Sequence, residues 1–246
     1  MIESIDDVLG DLVAEFDRLE SVLSVLDDAQ WASPSGAPGW TVTDVVVHLA
    51  QTEEGVAATL ANPEAVWTTR DGLLDDAVAA RVRVEAAPPS AVFARWRAAR
   101  RASVDALARA DPTVYVRWAA APLKPRTLAT TRLAEHWAHG LDITEPLGVP
   151  FPDTERLRHI AWLGHATLPY AMRLAGLEPQ AVRCTLHSPA GATWAFGPAD
   201  APSSVSGPGA AFCRVGARRL AASESGLLTS GPHADDALRV LRNYAA

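Results

Sequence analysis

Apolar residues recur every three or four positions over most of the first two-thirds of the chain, which is the spacing of amphipathic helices. Residues 4–29 show this pattern at Ile5, Val8, Leu9, Leu12, Val13, Phe16, Leu19, Leu23 and Leu26. A segment rich in proline and glycine follows at 34–39 and interrupts it. Further helices are predicted at about 41–60, 73–86, 91–111, 127–146 and 153–175. The pattern therefore indicates a helical bundle.

The start of the second helix carries the most specific local signal. Thr41 and Asp44 have the spacing of a capping box, in which each side chain accepts a hydrogen bond from the other residue's backbone. Trp40 and Val45 flank this box in the positions of a hydrophobic staple. We therefore expect the helix to begin directly after Thr41.

The pattern changes after Gly176. Residues 181–187 alternate between apolar and polar, as in a strand, and a turn at 188–191 leads to a return strand at 193–196. A helix near 208–219, a short strand at 227–229 and a closing amphipathic helix at 234–244 complete the prediction. We expect an α+β protein in which residues 1–177 form the helical bundle and residues 178–246 form a small α+β domain.

Composition narrows the functional classes. The chain has 246 residues, 48% of them apolar, and no run approaches the roughly 18 apolar residues of a membrane span. A net charge of −7 argues against nucleic-acid binding, which usually leaves a basic footprint. Cys184 and Cys213 provide no disulfide framework, and the acidic start lacks the features of a signal peptide. We expect a cytoplasmic protein with small-molecule partners, and no pattern selects an oligomeric state.

Three residues form a candidate metal site. Glu135 and His139 lie four apart, so that both side chains share one face of the helix predicted at 127–146. His48 lies among valines and Leu49 in the helix predicted at 41–60, which turns its imidazole at least partly inward. A buried carboxylate beside two imidazoles is costly unless it is neutralised, and a divalent metal does this. Such a set leaves open positions, as in catalytic zinc sites; nickel, iron and manganese also fit these ligands.

Each of these signals also has a structural interpretation. A lone histidine on an apolar face is commonly a core residue, and a Glu-x-x-x-His pair is commonly a surface interaction. His136 is a rival ligand, although it points about 100° away from Glu135. Asp142 either orients His139 or lies on the helix surface. A metal-binding protein without catalysis and a metal-free scaffold therefore remain as alternatives.

Two segments resemble a known family. Segment 39–49 (GWTVTDVVVHL) is similar to the "GW-T-V-x-D…H-L" motif of the mycothiol-dependent maleylpyruvate isomerase family, and segment 132–142 (RLAEHWAHGLD) is similar to its "E-x-W-x-H-G-x-D" motif. Segments at 205–208, 213–219 and 226–231 resemble that family's C-terminal α+β domain. The family belongs to the DinB-like metal-binding four-helix bundles, and the resemblance covers about residues 4–244.

The resemblance implies a chemistry. Its three metal ligands fall on His48, Glu135 and His139, and mycothiol is the thiol cosubstrate. A thiolate would add to an activated cis double bond, the new single bond would rotate, and loss of the thiolate would give the trans acid. Permanent transfer of the thiol to an electrophile begins with the same nucleophile and stays open as an alternative.

The same resemblance places an activity-linked arginine near the end of a C-terminal helix. Arg218 or Arg219 occupies that place, and we prefer Arg218 as the catalytic residue. The alternative for either residue is a surface arginine. The loop 116–118 precedes the helix predicted at 127–146, where it either covers the metal or contributes Trp118 to packing.

Overall fold

The computed structural model describes residues 5–62, 74–83, 85, 87–118 and 121–243. The chain divides into two compact units, Met1–Phe151 and Pro152–Tyr244. The helices of the first unit are α1 (Ile5–Leu23), α2 (Asp28–Ala32), α3 (Val42–Ala61), α4 (Leu74–Arg83), α5 (Pro89–Arg109) and α6 (Pro125–Leu147). The second unit contains α7 (Leu157–Leu174), β1 (Val182–His187), β2 (Thr193–Phe196), β3 (Ser203–Pro208), α8 (Gly209–Gly216), a 3-10 turn (Ala222–Glu224), β4 (Leu228–Ser230) and α9 (Ala234–Val240). The predicted α+β class is confirmed.

The first unit is a four-helix bundle. Helix α1 packs on α5 and α6, and α3 packs on the same two helices, which closes a ring of four. The residues of α1 that recur every three or four positions are buried, among them Val8, Leu12, Phe16 and Leu19. The sequence pattern thus identified the face of α1 that enters the core.

Local chemistry sets where the bundle helices begin and end. Thr41 caps α3, and the reciprocal hydrogen bonds with Asp44 form the predicted capping box. Helices α5 and α6 each begin with a proline, whose fixed φ suits the first helical turn. Gly148 ends α6 with a φ of 64°, a left-handed conformation that glycine adopts without strain.

The second unit is a small sheet covered by helices. Its strands lie in the order β2-β1-β3-β4, with β1 antiparallel to β2 and parallel to β3. Helices α7, α8 and α9 contact one another or the strands. The alternation predicted for 181–187 is observed, because Val182, Cys184 and Leu186 of β1 are buried while the residues between them are less so.

Three features differ from the predicted elements. The single helix expected at 4–29 is two helices, α1 and α2, which are separated by residues 24–27. Strand β3 was not predicted, because Val205 is the only apolar residue of its serine-rich segment before Pro208. The boundary between the two units lies after Phe151, earlier than the boundary expected after residue 177, since α7 packs on α8 and α9. Among the described residues, no helix is long and apolar enough to cross a membrane.

Candidate metal centre

The structure brings His48, Glu135 and His139 together inside the first unit. Helix α3 supplies His48 and helix α6 supplies the other two. One ligand atom of each residue lies within 4.8 Å of the ligand atoms of the other two. Among the described residues, this is the one group of three or more such side chains that could hold a metal ion.

The separations within this group suit a shared metal. Glu135 Oε2 lies 3.4 Å from His48 Nε2 and 3.5 Å from His139 Nε2. Ligand atoms about 2.1 Å from one metal at tetrahedral angles lie about 3.4 Å apart, whereas good N–H···O hydrogen bonds are about 2.7–3.2 Å long. Both carboxylate–imidazole separations are therefore suited to an ion between the two atoms, and both are longer than strong direct hydrogen bonds.

The pKa of each of the three side chains determines whether a metal has to displace a proton from it. Burial lowers the pKa of His48, which keeps this imidazole neutral. Burial raises the pKa of Glu135, but the two imidazoles and the charge of Arg132 outweigh it and hold the pKa well below its usual range. Burial lowers the pKa of His139, but Asp142 and Glu135 outweigh it and the net direction is upward. A metal thus meets an ionised carboxylate, and at a pH below the raised pKa of His139 it competes with a proton on that imidazole.

Asp142 orients one of the imidazoles. Its Oδ2 lies 2.8 Å from His139 Nδ1, and the side chain is only 3% exposed. Because an ionised carboxylate only accepts hydrogen bonds, Nδ1 donates to Asp142, and in the neutral ring Nε2 therefore carries the lone pair that can bind a metal. Of the two interpretations of Asp142, the structure favours the one in which it orients His139.

His136, the rival ligand, forms hydrogen bonds within the core of the bundle. Trp96 Nε1 donates to His136 Nε2 at 3.1 Å, and His136 Nδ1 donates to the carbonyl oxygen of Arg132 at 2.9 Å. Both ring nitrogens are therefore engaged. Burial and the nearby charge of Arg132 hold the pKa of His136 well below its usual range, so that the ring is neutral.

Two tryptophans lie near residues of the site, Trp40 beside the imidazoles and Trp118 beside Arg132. The indole of Trp40 lies 5.2 Å from the ring of His48 and stacks at 6.2 Å on that of His139, a role the sequence did not reveal. Trp118 is 8% exposed and lies under the guanidinium of Arg132, which supports its packing role. Pocket-lining residues are expected in the poorly patterned stretches 62–75 and 111–126, and the first of these falls mostly outside the described residues.

The predicted catalytic residue Arg218 lies in the second unit, directly after α8, and is exposed. Its backbone has a φ of 62°, and among the described residues it is the one non-glycine with a positive φ. The amides of Arg218 and Arg219 donate to the carbonyls of Val215 and Arg214, as in the Schellman motif that ends many helices. Glycine usually occupies the left-handed position of that motif, but this chain carries an arginine there.

Arg219, the alternative to Arg218 as the catalytic residue, forms a side-chain hydrogen bond to a nearby backbone carbonyl. Its Nη1 donates to the carbonyl oxygen of Ala217 at 2.6 Å. Arg218 is thus exposed at a left-handed position, whereas the side chain of Arg219 forms a local hydrogen bond, and the catalytic role of Arg218 stays a prediction.

The chain is similar in sequence to a known family and to curated relatives. Residues 12–144 match the family model described as the mycothiol maleylpyruvate isomerase N-terminal domain. Uncharacterized proteins from two strains of Mycobacterium tuberculosis, CDC 1551 / Oshkosh and H37Rv, are each 34% identical over 247 residues, covering 96% of this chain and 95% of the relative.

Solved structures show the same fold at low sequence identity. The crystal structures of mycothiol-dependent maleylpyruvate isomerase and of a histidine-to-alanine mutant of that enzyme each give a TM-score of 0.63 over 93% of both chains, at 16% and 15% identity. The matched family model includes all three residues of the candidate metal centre. The chain therefore belongs to the mycothiol maleylpyruvate isomerase family.

Proposed function

We propose that this protein is a divalent-metal-dependent enzyme that uses mycothiol to isomerise a small cis-alkene acid of the maleylpyruvate type. The observation that carries the proposal is the convergence of His48, Glu135 and His139 at separations that suit one metal ion. Membership of the family supports the thiol and the class of reaction.

The three side chains would hold the metal, for which zinc is the first choice and nickel, iron or manganese are alternatives. The side chain of Glu135 is 26% exposed, so the site has a side that faces solvent. Catalytic metal sites keep such an open position, whereas structural sites are closed. When bound, the metal supplies stabilisation of a thiolate, which a free thiol with a pKa of about 8.5 lacks at neutral pH.

The sulfur nucleophile has to come from outside the chain. Cys184 and Cys213 are both buried, in β1 and α8 of the second unit. Burial raises the pKa of Cys184 to about 12, and burial also raises the pKa of Cys213. Neither sulfur forms a thiolate at neutral pH, which supports an external thiol cosubstrate.

Arg218 is the residue that we propose for binding a substrate carboxylate. A guanidinium forms paired hydrogen bonds with a carboxylate, and Arg218 is exposed. Its left-handed backbone costs about 1 kcal/mol that glycine would not incur. Strain of this kind is concentrated at functional sites, which supports a role for the side chain.

The test is to follow both the acid and the thiol. Purified, zinc-loaded protein is incubated with mycothiol and maleylpyruvate, and the cis and trans acids and free thiol are quantified over time. Isomerisation gives the trans acid while the thiol is regenerated in full. Stoichiometric loss of thiol with formation of an adduct would identify a thiol S-transferase instead. A metal-loaded protein that does neither with maleylpyruvate or other small electrophiles would support metal binding without catalysis. The His139→Ala variant is the control for catalysis at this site.

A further inference from the structure

A buried arginine links the two helices that carry the metal ligands. Arg132 lies on α6, one turn before Glu135 and two turns before His139, and its side chain is 2% exposed. A charged side chain so deep in a bundle requires partners, since burial without them is costly.

The two side chains to which Arg132 donates hydrogen bonds lie on α3, about one turn after His48. Its Nε donates to Glu53 Oε1 at 2.7 Å, and its Nη2 donates to Thr52 Oγ1 at 2.7 Å. The hydroxyl of Thr52 donates to the backbone carbonyl oxygens of His48 and Leu49, each at 3.0 Å. A chain of hydrogen bonds therefore runs from the guanidinium on α6 to the backbone of the ligand on α3.

This arrangement is poorly explained by stability alone. Glu53 is fully buried, and its second oxygen, Oε2, has no hydrogen-bond partner among the described residues. Buried ion pairs often contribute no more than well-packed apolar residues of similar size, and an unpartnered buried oxygen adds a cost. The planar fork of an arginine, however, fixes direction as well as distance, which an apolar contact does not.

We propose that Arg132 is a positioning residue that holds α3 and α6 in the register at which His48 and Glu135 bind one metal ion. The inference rests on the metal centre proposed above but not on the reaction. Sliding of α3 along α6 would change the 3.4 Å separation of His48 Nε2 and Glu135 Oε2, and the fork of Arg132 opposes it. Thr52 transmits the constraint, because its hydroxyl contacts the guanidinium and the backbone of His48.

The experiment separates positioning from general stability. Thr52→Val keeps the shape of the side chain but removes the hydroxyl, Thr52→Ser restores it, and Arg132→Met removes the fork. Arg100→Met is the matched control, because Arg100 is also a buried arginine of the bundle but binds Asp17 and Glu20 of α1, away from the metal ligands. Zn²⁺ affinity is measured by chelator competition, the Co²⁺ site by its visible absorption spectrum, and apo stability by thermal unfolding.

Loss of a residue that orients metal ligands typically lowers affinity by about 10- to 100-fold. We expect a loss of about that size, with an altered Co²⁺ spectrum, in Thr52→Val and Arg132→Met. We expect near-wild-type values in Thr52→Ser. Arg100→Met should lower the melting temperature but leave affinity and spectrum unchanged. If the Arg132→Met variant does not fold, the Zn²⁺ affinity and Co²⁺ spectrum of Thr52→Val test the positioning role.

Two results would overturn the inference, and they are distinguishable. Wild-type affinity and spectrum in the Thr52→Val and Arg132→Met variants would show that the buried pair serves stability only, and the metal centre would stand. A wild-type protein that binds no divalent metal would overturn both this inference and the proposed function.

Discussion

Replacing Arg218 with glycine should stabilise the protein while it impairs the reaction. Arg218 holds a φ of 62° at the left-handed position of a Schellman motif, which costs an L-residue about 1 kcal/mol and glycine almost nothing. For a protein of this size, about 1 kcal/mol raises the melting temperature by about 2–4 °C. Because Arg218 is exposed, the variant loses little packing to offset this gain.

The same variant should lose activity. A hydrogen-bonded pair with a charged group contributes about 1.5–3 kcal/mol, so loss of a carboxylate-binding guanidinium should lower kcat/KM by about 10- to 100-fold. Thermal unfolding and steady-state kinetics with mycothiol and maleylpyruvate measure the two effects. Arg219→Gly is the control: its backbone is not left-handed, so we expect a lower melting temperature.

Two results would refute this reasoning. A lower melting temperature in Arg218→Gly would show that the side chain stabilises the fold by more than its backbone costs. A higher melting temperature with unchanged kinetics would show that Arg218 is a surface residue, and its proposed role would be withdrawn.

Three further predictions concern the metal centre and the thiols. Asp142→Asn should weaken Zn²⁺ binding about 10- to 100-fold at pH 8, because His139 loses the carboxylate that orients it. Asp105→Asn, which changes an exposed aspartate, is the control, and equal Zn²⁺ affinities of the two variants would contradict the orienting role of Asp142. Zn²⁺ affinity should rise with pH and level off once the pH exceeds the raised pKa of His139, since below that pKa the metal must displace a proton. An affinity that is flat between pH 6 and 8 would contradict this prediction. Cys184→Ala should retain thiol-dependent activity per folded molecule, because a buried thiol with a pKa of about 12 is not the nucleophile. Loss of activity in a folded variant would contradict the proposal that an external thiol is the nucleophile.

Local sequence signals predicted the parts of the site that lie within one helix. The capping box at Thr41 and Asp44 located the start of α3, and the four-residue spacing placed Glu135 and His139 on one face of α6. Both depend on contacts between residues close in sequence. Pairing His48 with them needed the further assumption that α3 and α6 are neighbours, which the bundle confirms.

Features that depend on pairing between distant elements were missed. Arg132 and Glu53 are 79 positions apart, and only the register of α3 against α6 reveals that they meet. The sole cue was that Arg132 shares a helical face with Glu135. Strand β3 is formed by its position between β1 and β4 and not by its own serine-rich sequence. Similarly, the apolar face of α7 showed that it is buried but not which unit buries it.

Elemental analysis of the purified protein tests the central claim most directly. Wild type is compared with His48→Ala and His139→Ala, and with His187→Ala, which removes an exposed histidine of the second unit. We predict close to one equivalent of divalent metal in wild type and in the His187→Ala variant, and its loss in the other two. Absence of metal from the wild type, even after incubation with Zn²⁺, would contradict the metal centre and the chemistry proposed on it.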